Sequence, residues 1–437
     1  MDFFIALVVF LCGIFLCMIQ GWSLVPGLAF GMVCFAAVAR YRGHRVREII
    51  SMAAGGARTA LVVVRILLLI GCLTALWRAS GTIAFFMHAG LTMIDSNIFL
   101  LMAFLLSALL SLTFGSVFGT AGTVGVILMA MARTGGADPA MTAGAVLSGA
   151  YFGERVSPAS ASAALTAALT GVDQNQFQRS MWRSTPVPLL LSLAFYGVLS
   201  YWFPIQQVEP DILTALEESF RLSWPTVLPA VLLLLLPFFH VKAVWAILAS
   251  CILSAVLAIA VQGVSWGSLL SGCLFGWEMN HPELSRILSG GGAVSMVNSM
   301  GIVLFSCASS GILNGARMLE PVKKKLEQLV ERTNLFLMAI FTAIAAAALL
   351  CNQSIALVLT QQMLEDSFLR RGYDRGDLAR TLGNTGLILP ALIPWSIAAS
   401  VPLETMEASP AAIFFAAFVY LCPLWEWWSR RRSVQKI

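Results

Sequence analysis

Charge is scarce in this 437-residue sequence: Asp, Glu, Lys and Arg together make up 11%, less than half the roughly 25% of soluble domains. With 59% hydrophobic residues beside it, that shortage excludes an ordinary soluble enzyme or binding module. Histidine is scarcer still at four, and His88 and His240 have no partner at a helical spacing that would hold a metal. The nine cysteines (12, 17, 34, 72, 251, 273, 307, 351 and 422) lie scattered in apolar stretches without metal-ligand spacing. They read as small hydrophobes, so zinc, haem and any other resident cofactor are not expected. No His or Lys stands near the serines of the polar segments, which argues against a nucleophile with a base and hence against an intramembrane enzyme. The formal charge of +5 does not imply nucleic acid, because the basic residues gather in short loops between apolar blocks, as membrane orientation requires.

What is present is a succession of apolar blocks, at residues 3–19, 22–38, 60–76, 97–112, 187–203, 225–240, 244–261, 294–313, 335–350 and 411–428. Each approaches the ~20 residues that cross ~30 Å of hydrocarbon. The first follows Met1-Asp2, which lacks a basic leader region, and is read as a span rather than a cleaved signal. Between the blocks lie apolar stretches rich in Gly, Ser, Thr, Asn and Pro, at 114–132, 140–170, 352–364 and 378–403, too interrupted for plain helices.

These interruptions recur. An offset of 236 residues relates Gly136 to Gly372, Asp138 to Asp374, Ala143 to Ala379, Pro158 to Pro394 and Ser160 to Ser396, and sets Ser116 against Asn352 and Ser148 against Asn384. Loop charge then says how the halves are related. Arg317, Lys323, Lys324, Lys325 and Arg332 face a counterpart loop without Lys or Arg, and Arg370, Arg371, Arg375 and Arg380 face one holding Arg133 alone. The run 40–58 faces Arg286 with Glu278 and Glu283. Basic loops mark the cytoplasmic side, so the halves are expected to be inverted.

The expected fold is an all-α polytopic membrane protein of two inverted-topology repeats, residues 1–203 and 225–437, joined by an extracytoplasmic linker at 204–224. About ten crossings and two hairpins with discontinuous helices place both termini in the cytoplasm of an inner-membrane protein. The acidic residues Glu209, Asp211, Glu217, Glu218, Glu404 and Glu407 then lie outside, and Arg430–Arg432 and Lys436 inside. The run Lys323–Lys325 reads as a solvated loop that attracts anionic lipid. A homodimer is compatible with this reading.

Inverted repeats with broken helices are the signature of alternating-access transporters. Unpaired backbone at membrane depth is tolerated where it is buried in protein or lines a cavity, so the broken segments mark where a polar cargo is held. The first half contributes Gly115, Ser116, Gly119, Thr120, Gly122 and Thr123 at a hairpin tip, with Ser148, Glu154, Ser157, Ser160 and Ser162 on the broken crossing. The second contributes Asn352, Gln353 and Ser354, with Asn384, Thr385 and Ser396.

Two stretches carry a resemblance. Gly119-Thr120-Ala121-Gly122-Thr123-Val124-Gly125, followed by the run from Ser148 through Gly153-Glu154-Arg155-Val156-Ser157-Pro158, resembles the glycine-threonine hairpin and "SGAYFGD-x-x-SP-x-SDTT" stretch of NhaC-type sodium/proton antiporters. Leu382-Gly383-Asn384-Thr385-Gly386 with Pro390 through Ser396 is similar to that family's "L-x-D-S-G-T" and "P-L-I-P-W-N". The resemblance implies sodium/proton antiport, with Na+ and H+ as cargo and a sodium site drawing on Thr123, Ser157 and Asn384. Two of the three motif acids are replaced, by Ala161 and Asn384, so Glu154 is left as the titrating group, with Asn384, Ser157, Ser160 and Ser162 around the proton and cation. Electrogenic two-proton exchange through a carboxylate pair is not expected.

Plainer readings stand beside these. Glu154 would pair with Arg155 at a helix end; the glycines would serve helix packing, and Asn352 and Asn384 interhelical hydrogen bonds. The serines would back-bond within their helices, Arg65 would snorkel, and Trp395 would pack beside a kink. The alternative function is sodium- or proton-coupled transport of a small carboxylate or amino acid, which the lost acids and the Ser/Asn-rich segments suit.

Overall fold

A computed structural model describes residues 2–93, 95–205, 210–239, 241, 243–318, 320 and 334–434. Glu209, His240, Lys323, Lys324, Lys325, Arg332 and Lys436, used in the charge reading, lie outside these residues, as do the side chains of Asp211, Glu283, Arg286, Arg431 and Arg432. Helices α1 (Asp2–Ile19) and α2 (Leu24–Tyr41) are joined at Ser23, whose hydroxyl accepts from Val25 N as an N-cap. Helix α3 (Val46–Ala79) has 34 residues, roughly 50 Å at 1.5 Å per residue, longer than the hydrocarbon is thick. Then come α4 (Thr82–Met93), α5 (Phe99–Phe114), α6 (Val117–Thr120) with a π turn at Ala121–Gly125, α7 (Val126–Thr134), α8 (Pro139–Val156) and α9 (Ala161–Thr170). Helix α10 (Gln174–Ser184) bends by 49° into α11 (Pro186–Trp202).

The chain continues through α12 (Pro210–Ser219), α13 (Leu228–Leu235), α14 (Ala243–Ala260), α15 (Trp266–Phe275), α16 (Pro282–Leu288) and α17 (Val297–Gly315). It closes with α18 (Leu335–Leu350), α19 (Gln353–Arg370), α20 (Arg375–Asn384), α21 (Ile397–Thr405) and α22 (Ala417–Val434). Among the described residues there is no strand, only an isolated antiparallel bridge between Trp277 and Gly290. Among the described residues five helices are long and apolar enough to cross a membrane, and counting each bent pair as one span raises this to seven. Large apolar side chains such as Val8, Leu109, Leu190, Ile252 and Phe341 are exposed, the surface a lipid solvent demands.

Helices α1, α2, α3, α14, α15 and α17 pack mainly on one another, while α5 packs with α8 and α11, these two pack with α22, and α9 and α10 with α20. The contact between α5 and α8 depends on two glycines. A Cβ on Gly149 would stand 2.5 Å from Phe104 O, and one on Gly153 2.2 Å from Ser111 C, so any side chain there forces the helices apart. Sequence reading offered packing only as the plainer alternative for Gly115, Gly119 and Gly122, which it assigned to a cargo-binding hairpin, and gave this pair no packing role.

The interrupted stretches are more helical than their composition suggests. The first hairpin is broken only at Gly115 (φ 61°) and Ser116, and the second only at Cys351 (φ 53°) and Asn352. A capping side chain restarts each helix: Ser116 Oγ accepts from Gly119 N at 3.3 Å and Asn352 Oδ1 from Ile355 N at 3.2 Å. The same residue types recur at the later turns, with Asp138 and Asp374 as N-caps, Gly136 (φ 64°) and Gly372 (φ 79°) left-handed, and Ser160 and Ser396 as N-caps. Each pair is 236 residues apart.

Candidate functional site

Helix α8 stops at Val156 because Ser157 turns to extended backbone (ψ 136°) and Pro158 has no N–H to continue the ladder. Ser160 Oγ then accepts from Ala163 N at 3.1 Å and starts α9. In the second half α20 stops at Asn384, a 3-10 turn runs over Leu389–Leu392, and Ser396 caps α21. Each hairpin tip is seated on its own break. Gly115 lies so close that a Cβ would be 2.4 Å from Ser160 N, and Ile397 N donates to Cys351 O at 2.9 Å. Gln174 Nε2 also donates to Pro158 O at 2.9 Å, so a backbone polar group at each break finds a partner inside the protein, as membrane depth requires.

Glu154 lies in the last turn of α8 and is buried, 7% exposed. Ser162 Oγ, across the break, donates to its Oε1 at 2.5 Å. The Gln353 amide from the second hairpin stands beside the same carboxylate and donates to Leu387 O at 2.6 Å in the second break. Three of the segments singled out in the sequence therefore meet at Glu154.

Arg155 does not pair with Glu154. It turns the other way, fully buried, and donates to Thr185 Oγ1 at 2.6 Å, Ser184 Oγ at 2.5 Å and Asn384 Oδ1 at 2.7 Å. Successive helical residues point about 100° apart, which separates the acid from the guanidinium. Asn384 is thereby engaged, and its Nδ2 donates to Arg380 O at 3.0 Å. A cavity of about 530 Å³ lies along the same α10–α20 groove, lined in part by Arg179, Arg183, Asp377 and Arg380.

The remaining candidates divide. Thr123 Oγ1 donates to Gly119 O at 2.7 Å, Thr120 Oγ1 to Ser116 O at 2.9 Å and Thr385 Oγ1 to Thr381 O at 2.7 Å, all back along their own helices. Thr123 also lines an apolar cavity with Trp77, Phe86 and Ile127. Ser157 Oγ accepts from Ala159 N at 3.1 Å, so no hydrogen bond joins Thr123, Ser157 and Asn384 to one another. Ser148 sits 2.5 Å from Tyr196 Oη and accepts from Phe418 N at 3.2 Å, which binds α8 to α11 and α22. Gly122 abuts Ile70 of α3, Ser354 is exposed, and Ala161 opens α9 beside Ser162. Trp395 donates to Ala348 O at 2.9 Å and meets Phe15 edge-on, a packing role. Arg65 is exposed on α3.

Two acids read as loop residues hold helices together. Glu407 accepts from Arg133 at 2.8 Å and lies 3.9 Å from the buried Arg78, and Glu404 accepts from Asn298 at 2.6 Å. Sequence reasoning missed Arg78, although an arginine within an apolar helix was the available signal.

With this geometry in hand, the sequence profile of the Na+/H+ antiporter family matches residues 3–203 and 175–425. The chain belongs to the Na+/H+ antiporter family. Among relatives, it is 26% identical over 403 residues to the "Malate-2H(+)/Na(+)-lactate antiporter" of Bacillus subtilis, covering 89% of this chain and 86% of that one. It is 26% identical over 380 residues to the "Na(+)/H(+) antiporter NhaC" of Alkalihalophilus pseudofirmus, with 84% and 81% covered. It is 27% identical over 381 residues to the "Arginine/ornithine antiporter ArcD" of Halobacterium salinarum, with 84% and 78% covered. Membership in this antiporter family makes the chain a multi-pass membrane transporter with membrane lipid as its solvent.

Proposed function

We propose that the protein exchanges sodium for protons across the inner membrane by alternating access, and that Glu154 binds the two in turn. The observation that carries this is the burial of one carboxylate where the first break, its downstream helix and the second hairpin meet. A buried acid is costly unless it has work to do. The oxygens of Ser162 and Gln353, with Ser157 and Ser160 nearby in sequence, are the hard donors that sodium requires. Thr123 and Asn384 are less direct candidates, since one bonds to its own helix and the other to Arg155.

The scaffold proposed for this exchange is a pair of inverted repeats, with about ten crossings, two hairpins and both termini cytoplasmic. Caps and left-handed turns repeated at a spacing of 236 residues support the repeat. Helices of 16–18 residues such as α18 and α14, short of a full span by length alone, are near enough to the ~27–30 Å core to cross it. Sidedness is supported by contacts between segments assigned to one face: Arg133 with Glu407, Asn298 with Glu404, and Gly171 against Arg375.

Proteoliposomes holding an imposed pH gradient test the reading. Sodium or lithium is expected to relax the gradient, and Glu154→Gln to abolish the response. The relatives named for malate, lactate, arginine and ornithine, together with the neutral Asn384, favour a second reading in which a small carboxylate or amino acid is exchanged. That reading holds instead if such a solute collapses the gradient while sodium and lithium leave it untouched.

A further inference from the structure

Arg155 is a buried charge without a carboxylate in ion-pair contact among the described residues. Its side chain is fully buried, its three hydrogen-bond acceptors are two hydroxyls and an amide, and its Nε has no partner. Among the described residues no carboxylate forms an ion pair with it. Glu426, also buried, is already held by Arg380 at 2.8 Å and Arg430 at 2.7 Å. Buried charges are ordinarily paired, because several kcal/mol of lost hydration must be offset, and a guanidinium cannot escape by losing its proton. The core therefore carries a permanent positive charge one residue from its working carboxylate.

We propose that the exchange runs at one sodium per proton, with no net charge moved per cycle, because Glu154 is the exchangeable acid of the core and the buried Arg155, bound to the neutral Asn384, keeps position 384 from supplying a second; this rests on sodium/proton exchange at Glu154. The charge count follows from the residues. With Glu154 ionised and empty, the pair Glu154 and Arg155 sums to zero. With a proton on the carboxylate the sum is +1, and with sodium on the carboxylate it is again +1. Both loaded forms cross with the same charge, so a membrane potential drives neither direction. An acid at position 384 would stand at the 2.7 Å contact now made by the Asn384 amide and would be kept ionised by the guanidinium. It would add no second exchangeable proton while Arg155 remains. Arg155 adds the same charge to both loaded forms, and on this account it is a positioning residue rather than a cargo ligand.

The experiment measures sodium-driven proton movement in proteoliposomes at zero potential and at a potential clamped with potassium and valinomycin. The wild type is expected to give the same final sodium ratio at both potentials, and so is Asn384→Asp. The double variant Arg155→Gln/Asn384→Asp exposes two unpaired acids, and its sodium ratio is expected to shift about tenfold for each ~59 mV, the single-charge slope. Arg155→Lys keeps the charge and is expected to remain insensitive to potential. Potential-driven exchange in the wild type or in Asn384→Asp alone overturns the proposal while leaving sodium/proton exchange standing. A wild type that ignores sodium removes the exchange reading and this one with it. If the double variant does not fold, Asn384→Asp decides alone, since insensitivity supports a guanidinium-held acid and a tenfold shift refutes it.

Discussion

Ser162 donates a hydrogen bond of 2.5 Å to Glu154 across the break that separates α8 from α9. The two lie on separate helices because Pro158 cannot continue the first and Ser160 caps the second. The bond ties the acid to the segment that has to move if the break opens. A hydrogen bond to a charged group contributes about 1.5–3 kcal/mol. Ser162→Ala is therefore expected to raise the apparent KM for sodium about tenfold or more with the folded fraction unchanged, measured as gradient relaxation against sodium concentration. An unchanged KM would detach Ser162 from the cation.

Gly115 and Gly119, both singled out as hairpin glycines, are predicted to behave differently. At Gly115 the backbone is left-handed and a Cβ would meet Ser160 N at 2.4 Å, whereas at Gly119 the nearest atom is 3.7 Å away. Gly115→Ala is expected to cost about 1–3 kcal/mol and to lower the melting temperature in detergent. Gly119→Ala should melt like the wild type. Equal melting of the two variants would mean that the tip is not seated on the break.

Ser148 supplies a control. It was a candidate for cargo contact, but it is held by Tyr196 and Phe418 N. Ser148→Ala and Tyr196→Phe each leave buried polar groups unmatched, at about 1–3 kcal/mol. Both should lower thermal stability and leave the KM for sodium at its wild-type value in the protein that remains folded. A selective change in KM would return Ser148 to the binding site.

Glu407 bridges Arg133 and Arg78 from the end of α21. Arg78 is almost fully buried and Glu407 is half exposed, so removing the acid leaves a buried guanidinium short of a partner. Glu407→Gln should destabilise less than Arg78→Ala, because solvent already weakens the exposed side of the contact. Differential scanning fluorimetry of the two variants gives the order directly, and a reversed order would show that stranding the buried guanidinium costs more than removing the arginine altogether.

The sequence by itself determined the solvent, the helical class and the location of the broken segments. Apolar length and scarce charge act locally, and proline, serine and glycine stop or start helices wherever they occur. Glu154 stood out in the sequence as the acid left in a motif otherwise stripped of carboxylates, and the structure buries it at the break. The direction of each side chain was not legible in the sequence. That Arg155 turns from Glu154 to Asn384, that Gln353 comes to the carboxylate, and that Gly149 and Gly153 let α8 lie against α5 depend on helix rotation and on partners up to about 230 residues away in the chain. Motif spacing carries no information about which way a helix faces, so only the tertiary structure decided which polar residues share the Glu154 site and which are spent holding the helices together.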